Sequence, residues 1–437
     1  MTAISEDMIV PAGGQPPAGP LAWPVQPKVK LGATGAEFPL TETEQAFQNI
    51  AHAFARDVMR PVGQKLDRMT PEQILDKNSI YYTEFRPKYL ALDINPLTLS
   101  ELTPEEVGKL LPIIMEEFGW GDGGLSITIG ACQLPPLLAL MFGKQYLLQR
   151  YPADLIGCWA ITEPDHGSDA LDPSRQIFHS QGVYGRPNCI AKLDDDKVVI
   201  NGQKSAWVSN GPIADVCVLY AAADRGNGPD PEKGVVLLVP MNAPGVSRGR
   251  SIDKLGQRPL PQGELYFDNV TLSADHIIAG PEDFQRAVYA VHCEANGQMG
   301  AVWTGAARAA FEIAWEYAHS RKQGGVPIYR HQAVAQRLFH MYRKVEASRA
   351  LVRRVALYNA TAPVPALQSA MACKVTATQT AFEVASDALQ MLGGNGNTRE
   401  YPIEKILRDA RASMIEDGCN EMLSIKGGYQ MMDPDLL

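Results

Sequence analysis

The spacing of apolar residues changes near residue 155 and changes back near 283, which confines the chain to a fold with a sheet set between two helical parts. Helices repeat their buried positions every three to four residues and strands every second one, so a segment patterned for one does not bury its apolar side as the other. In "PLTETEQAFQNIAHAFARDVMRPV", Phe47, Ile50, Ala51, Phe54 and Val58 recur at helical spacing behind a capping box of Thr41 and Glu44. Helical patterns follow from Thr103 and from Leu134. The middle holds short β-rich runs, "KVVING", "DVCVLYAAA", "GVVLLVP" and "ELYFDNVTL", bounded by Gly, Asn and Pro. Four long helical patterns occupy the remainder, enough for a bundle. The expected fold is mainly α with a central β domain: an N-terminal extension (1–37), an N-terminal helical domain (38–154), a middle β domain (155–280) and a C-terminal helical bundle (281–437).

Composition narrows the function. The 437 residues are 45% hydrophobic, enough for a large core, and carry a net charge of −9 with no lysine or arginine block. An acidic chain without a basic patch is a poor nucleic-acid or anionic-membrane binder, so a small or nucleotide-linked ligand is expected. The seven cysteines include no C-x-x-C pair, which argues against a zinc site and a disulfide framework and fits a reducing cytoplasm. No metal is expected. The beginning, "MTAISEDMIVPAGGQPPAGPLAWPVQP", lacks the pattern of a secretory signal, and no run of about 18 uninterrupted apolar residues suits a membrane span. Its Pro- and Gly-rich first 35 or so residues are expected to wrap the surface or stay disordered.

Three stretches carry chemistry. "CWAITEPDHGSDA" (158 to 170) leaves a strand for a loop of small polar residues, where Gly167 admits close approach of a ligand to the main chain. In "NGQKSAWVSNGPIAD" (201 to 215), Trp207 and Ser209 stand two apart on a strand and share a face, pairing an indole that stacks on flat heterocycles with a hydroxyl. "SMIEDGCNEML" (413 to 423) sets Glu416 beside Asp417. On a helix such neighbours diverge by about 100°, so at most one faces a given pocket, and the residues alone do not choose between them.

Together these motifs resemble the acyl-CoA dehydrogenase family. The T-E-P-x-x-G-S-D-A loop is complete from Thr162 to Ala170, and "GQKSAWVSNG" matches with one extra residue before the tryptophan. "LYFDNV" (Leu265, Phe267, Val270), "RKQGG", "HQAVAQRL", "QMLGGNG" and "LRDARASMIEDG" follow in family order, so the resemblance runs from about Leu40 to the C-terminus. It implies an FAD cofactor held by Ile161, Thr162, Gly167 and Ser168, with Trp207 and Ser209 against the ring system. Arg321 and Gln323, with Gln390, Gly393 and Gly394, match positions that reach the FAD of a neighbouring subunit, which implies a homotetramer or homodimer. The acid before the glycine in the family register is Asp417, implying that it abstracts the proton alpha to the carbonyl of an acyl-CoA or related thioester, with electrons leaving through an electron-transferring flavoprotein.

Departures from the pattern keep other readings open. Aspartate replaces the usual glutamate, which also fits a nitroalkane-oxidase-like flavin oxidase; a non-redox thioester lyase or binding protein on the same scaffold is the third possibility. Relatives with a base on the first bundle helix carry it where this chain has Ala295, next to Glu294 and Asn296, and Gly324 stands where phenylalanine is usual. Asp122 and Gly418 fall near the expected substrate pocket, Asp122 also suiting a helix cap, and His166 reads as a solvated loop histidine.

Overall fold

Local signals start the first helices where the sequence places them. The computed structural model describes Leu31 and residues 35–172, 186–433 and 435; the expected disposition of the N-terminal extension lies almost wholly outside the described residues. Helix α1 (Glu42–Phe54) opens on its capping box, Thr41 N–H donating to Glu44 Oε2 at 2.8 Å and Glu44 N–H to Thr41 Oγ1 at 3.2 Å. Thr103 and Glu106 repeat the device at α2 (Pro104–Gly121). The next helix, α3 (Gly123–Met141), starts eleven residues before the pattern first seen at Leu134. Asp122 sets that start: its backbone is extended and its carboxylate accepts the Leu125 N–H at 2.9 Å, an N-cap. Gly143, with φ +65°, ends the run, and the rest is a separate short helix, Tyr146–Arg150. By length and composition α3 is apolar enough to cross a membrane, with a mean hydropathy of 1.5, but 67% of that window is buried inside the protein.

The bundle comprises α4 (Phe284–Ser320), α5 (Gln332–Thr361) and α6 (Leu367–Leu392), followed by the shorter α7 (Ile403–Ser413) and α8 (Asn420–Met431). Helix α2 packs into it backbone to backbone. A Cβ on Gly119 would lie 1.9 Å from Val302 O, and one on Gly305 would lie 1.9 Å from Glu116 O. Neither contact admits a side chain, and main chain cannot swing aside as a rotamer can. Gly305→Val is therefore expected to lower stability by roughly 3 kcal/mol or more, read as a fall in the urea midpoint.

The β domain is one mixed sheet of β1 (Gly157–Ala160), β2 (Cys189–Leu193), β3 (Lys197–Ser209), β4 (Val216–Asp224), β5 (Pro229–Pro240), β6 (Val246–Arg248), β7 (Gln262–Ser273) and β8 (Ile277–Ala279). Its order is β6-β7-β3-β1-β4-β5-β8, with β2 also pairing β3 and β4. Strand β4 reads as a continuous apolar run because both its faces are covered. Val216, Val218 and Tyr220 pack on Leu134 and Leu138 of α3 and on Val288 and Val291 of α4. Cys217, Leu219 and Ala221 face the opposite core. Between the pairs Lys204↔Leu265 and Val208↔Gly263 the β3–β7 register shifts, four steps on β3 against two on β7. The bulge holds the extra residue of the motif and leaves Trp207 56% exposed. Leu40–Leu437 pack as a single unit.

Candidate active site

A cavity of about 510 Å³ opens where the ends of β1 and β3 meet α4 and the turn between α7 and α8. That volume lies in the range of roughly 300–1,000 Å³ usual for ligand and cofactor sites. Trp159, Ile161 and Thr162 line it from β1 and the following loop, Gly167 and Ser168 from the T-E-P loop, Trp207 and Ser209 from β3, and Glu416, Asp417 and Gly418 from the turn. Glu163 of the T-E-P loop turns away to a buried pair with Lys204 at 2.6 Å, and the Lys204 ammonium also donates to Ile161 O at 3.0 Å. This fixes the loop to β3, while Gln262 Nε2 donates to Ser209 Oγ at 3.2 Å on the same strand.

Glu416 and Asp417 do not stand on a helix. Helix α7 ends at Ser413, and Asp417 has φ +52° and Gly418 φ +88° before α8 begins at Asn420. The helical divergence expected for neighbours does not apply to this turn, and both acids line the cavity. Left-handed backbone is tolerated by aspartate better than by most residues with a Cβ, which suits Asp417 to this position. The Asn420 N–H closes the turn on Met414 O at 3.0 Å. Ser168 Oγ accepts the Cys419 N–H at 3.0 Å, and the buried Lys374 donates to Gly418 O and Asn420 Oδ1, each at 2.8 Å.

Electrostatics separates the two acids. Burial pushes the Asp417 carboxyl up to about 6 against the opposing pull of the Lys374 ammonium. Burial and the charge of Asp417 raise Glu416 further, to about 7, although Gln257 Nε2 donates to its Oε1 at 2.5 Å. Across the cavity, burial lowers His292 to about 4; its Nδ1–H donates to Val288 O at 2.6 Å, leaving Nε2 as the acceptor of a neutral ring.

Comparison with known proteins decides the lineage. Residues 158–270 match the model of the acyl-CoA dehydrogenase middle domain, and 295–427 that of its C-terminal domain. Cyclohex-1-ene-1-carbonyl-CoA dehydrogenase of Geobacter metallireducens is 32% identical over 371 residues, 82% of this chain and 92% of that one. Benzylmalonyl-CoA dehydrogenase of Aromatoleum aromaticum is 30% identical over 89% and 98% of the two chains.

The chain belongs to the acyl-CoA dehydrogenase family.

The solved glutaryl-CoA dehydrogenase in complex with glutaryl-CoA shares the fold with a TM-score of 0.76 at 24% identity, covering 92% of this chain and 97% of that one. Within this acyl-CoA dehydrogenase fold, the structure gathers Ile161, Thr162, Gly167, Ser168, Trp207, Ser209, Asp417 and Gly418 around one cavity. Arg321, Gln323, Gln390, Gly393 and Gly394 lie outside it, exposed at the ends of α4 and α6. Three candidates for the substrate pocket are not on its wall. Asp122 caps α3 and pairs with the buried Lys405 at 2.6 Å. Asn296 is fully buried, its amide donating to His292 O at 2.9 Å. Glu294 faces a second cavity, of about 270 Å³, together with Cys293, Gly297 and Gln298, because two helical steps, about 200°, turn it away from His292. His166 is buried and paired with Asp169 at 2.9 Å instead of being solvated.

Sequence reasoning missed Lys254, Gln257, Gln262 and His292, all on the cavity wall, and Lys374 behind the acid turn. His292 follows Val288 and Val291 on the buried stripe of α4, a polar residue where the pattern calls for an apolar one, and that signal was readable. Gln257 meets Glu416 across 159 positions, and no local pattern announces such a pair.

Proposed function

We propose that the protein is an FAD-dependent acyl-CoA dehydrogenase in which Asp417 removes the α-proton of a thioester substrate, giving a 2-enoyl product. The observation that carries this reading is that Asp417, on its left-handed turn, lines the same cavity as Trp207, Ser209 and the T-E-P loop. The cavity fits the isoalloxazine: the Trp207 indole lies at its wall for stacking, Ser209 supplies a hydroxyl, and no atom lies within 4 Å of where a Gly167 Cβ would stand, so the main chain there is open to a ligand. Bound there, FAD supplies the acceptor for the hydride that leaves the β carbon.

The protein's share is proton transfer and charge placement. Asp417 is ionised above about pH 6 and basic enough to act near neutrality. Its own backbone N–H donates to no described acceptor and is available to the thioester oxygen as negative charge develops there. Lys374 steadies the turn through Gly418 O and sets how far the base is raised. The rate of flavin reduction is therefore expected to rise with pH through about 6 and then level. Lys374→Met removes the cation that lowers Asp417, so the acid limb should move to higher pH, with the plateau falling roughly 10-fold as the turn loosens.

The exposed positions of Arg321, Gln323, Gln390, Gly393 and Gly394 support a role toward the FAD of a neighbouring copy in a homotetramer. Family membership supports an electron-transferring flavoprotein as the acceptor. Anaerobic bleaching of the flavin by a panel of acyl-CoA thioesters tests the whole reading. Bleaching with none of them rejects it, peroxide release on rapid aerobic reoxidation points to an oxidase, and protein that cannot be reconstituted with FAD points to non-redox chemistry.

A further inference from the structure

Glu416 plays no part in the proton transfer described above, yet its carboxyl is held in place as firmly as a functional group. Gln257, which orients it, is 2% exposed and anchored to α7: its main-chain N–H donates to Asp409 Oδ1 and its side-chain amide also donates to Asp409 O at 3.3 Å. Gln257 engages one oxygen of Glu416, and the other accepts from no described residue. Lys254 lines the same cavity. Its ammonium donates to Leu260 O and Gln262 Oε1, each at 2.7 Å, using two of its three N–H donors. A carboxyl acceptor and an ammonium donor thus share the wall beside the base, each with hydrogen-bonding capacity left over.

Burying such groups against an alkyl chain leaves that capacity unmet, which carries a desolvation penalty. A ligand carboxylate would satisfy Lys254 but would face the charges of Glu416 and Asp417. A hydroxyl satisfies both, donating to the carboxyl and accepting from the ammonium. We infer that Glu416 and Lys254 form a specificity clamp for an acyl group that carries a hydroxyl, an inference that rests on the thioester reading above.

The test uses FAD-reconstituted full-length protein and size-matched thioesters, pentanoyl-CoA against 4-hydroxybutanoyl-CoA and cyclohexanecarbonyl-CoA against its ring-hydroxylated analogue. The clamp predicts that kcat/KM favours the hydroxylated member of at least one pair by roughly 100-fold. Glu416→Leu should collapse that ratio toward one or below, mainly through KM, whereas Glu416→Gln, whose amide oxygen still accepts, should keep part of it. Should Glu416→Leu fail to fold, Lys254→Met reads the same ratio. Equal kcat/KM within both pairs, a preference for glutaryl-CoA over all of them, or a Glu416→Leu protein with altered flavin absorbance but an unchanged ratio would overturn the clamp alone. Absence of bleaching with every thioester would overturn the dehydrogenase reading and the clamp with it.

Discussion

Asp417→Asn is expected to keep flavin and ligand in place while slowing flavin reduction by a thioester on the order of 10³-fold, the scale of a lost general base. The variant isolates chemistry from geometry. Asparagine matches aspartate in volume and tolerates the φ of +52° at this turn, so the backbone has no reason to move. Alanine would lack the short polar side chain that suits aspartate and asparagine to left-handed backbone, and glutamate would add a methylene of reach to a side chain already on the cavity wall. Rapid-mixing absorbance of the flavin under anaerobic conditions gives the rate, and retained spectral perturbation by ligand shows that binding survives. Near-normal reduction would remove Asp417 from the role of base.

The same substitution carries a stability signature of opposite sign. The folded value of Asp417, about 6, exceeds that of an unfolded aspartate, about 3.9, so folding disfavours the ionised form. Stability contributed by this group is complete below the unfolded value and lost as pH rises through the folded one. At neutral pH the wild-type apoprotein carries that cost and the asparagine variant does not. Its stability should rise by an amount on the order of 1 kcal/mol at pH 7, read as a higher urea midpoint, a gain that vanishes near pH 4.

Arg308→Met is expected to destabilise the fold by about 4 kcal/mol. Arg308 lies buried on α4 and donates to Glu116 Oε1 at 2.7 Å and to both oxygens of Glu117 on α2. Arg349 and Arg353 of α5 reach the same Glu116, and His52 of α1 reaches Glu117 at 2.8 Å. One network thus joins four helices from both ends of the chain. Burial alone would raise Glu116; the guanidiniums of Arg349, Arg308 and Arg353 overcome it and hold the carboxyl at about 2. With the folded value below the unfolded one of about 4.3, the stabilisation is complete above the latter and is lost as pH falls through about 2. Acid unfolding followed by circular dichroism should begin in that window. In the Arg308→Met protein it should begin at higher pH, with a lower urea midpoint already at pH 7.

What was legible in the sequence was local. Thr41 announced α1 because a capping box closes within four residues, the helical spacing from Thr103 announced α2, and Trp207 and Ser209 share a cavity because they alternate on one strand. Asp122 shows the limit of that reading: its partners are Leu125, three residues away, and Lys405, 283 residues away, and only the first was within reach of a pattern. Glu294 and His292 differ by two positions on α4, yet they face different cavities, a distinction made by what packs on each side of the helix.

By itself the sequence determined the order helical, β, helical, the family motifs and the register that singles out Asp417, because periodicity and short motifs are properties of neighbours along the chain. Tertiary structure alone decided that both acids of the pair share one cavity, that Gln257 meets Glu416 while Lys254 lines the same cavity, and that Lys374 lies behind Asp417. Those relations depend on burial and on charges brought together across 43 to 162 positions, and neither quantity exists until the chain has folded.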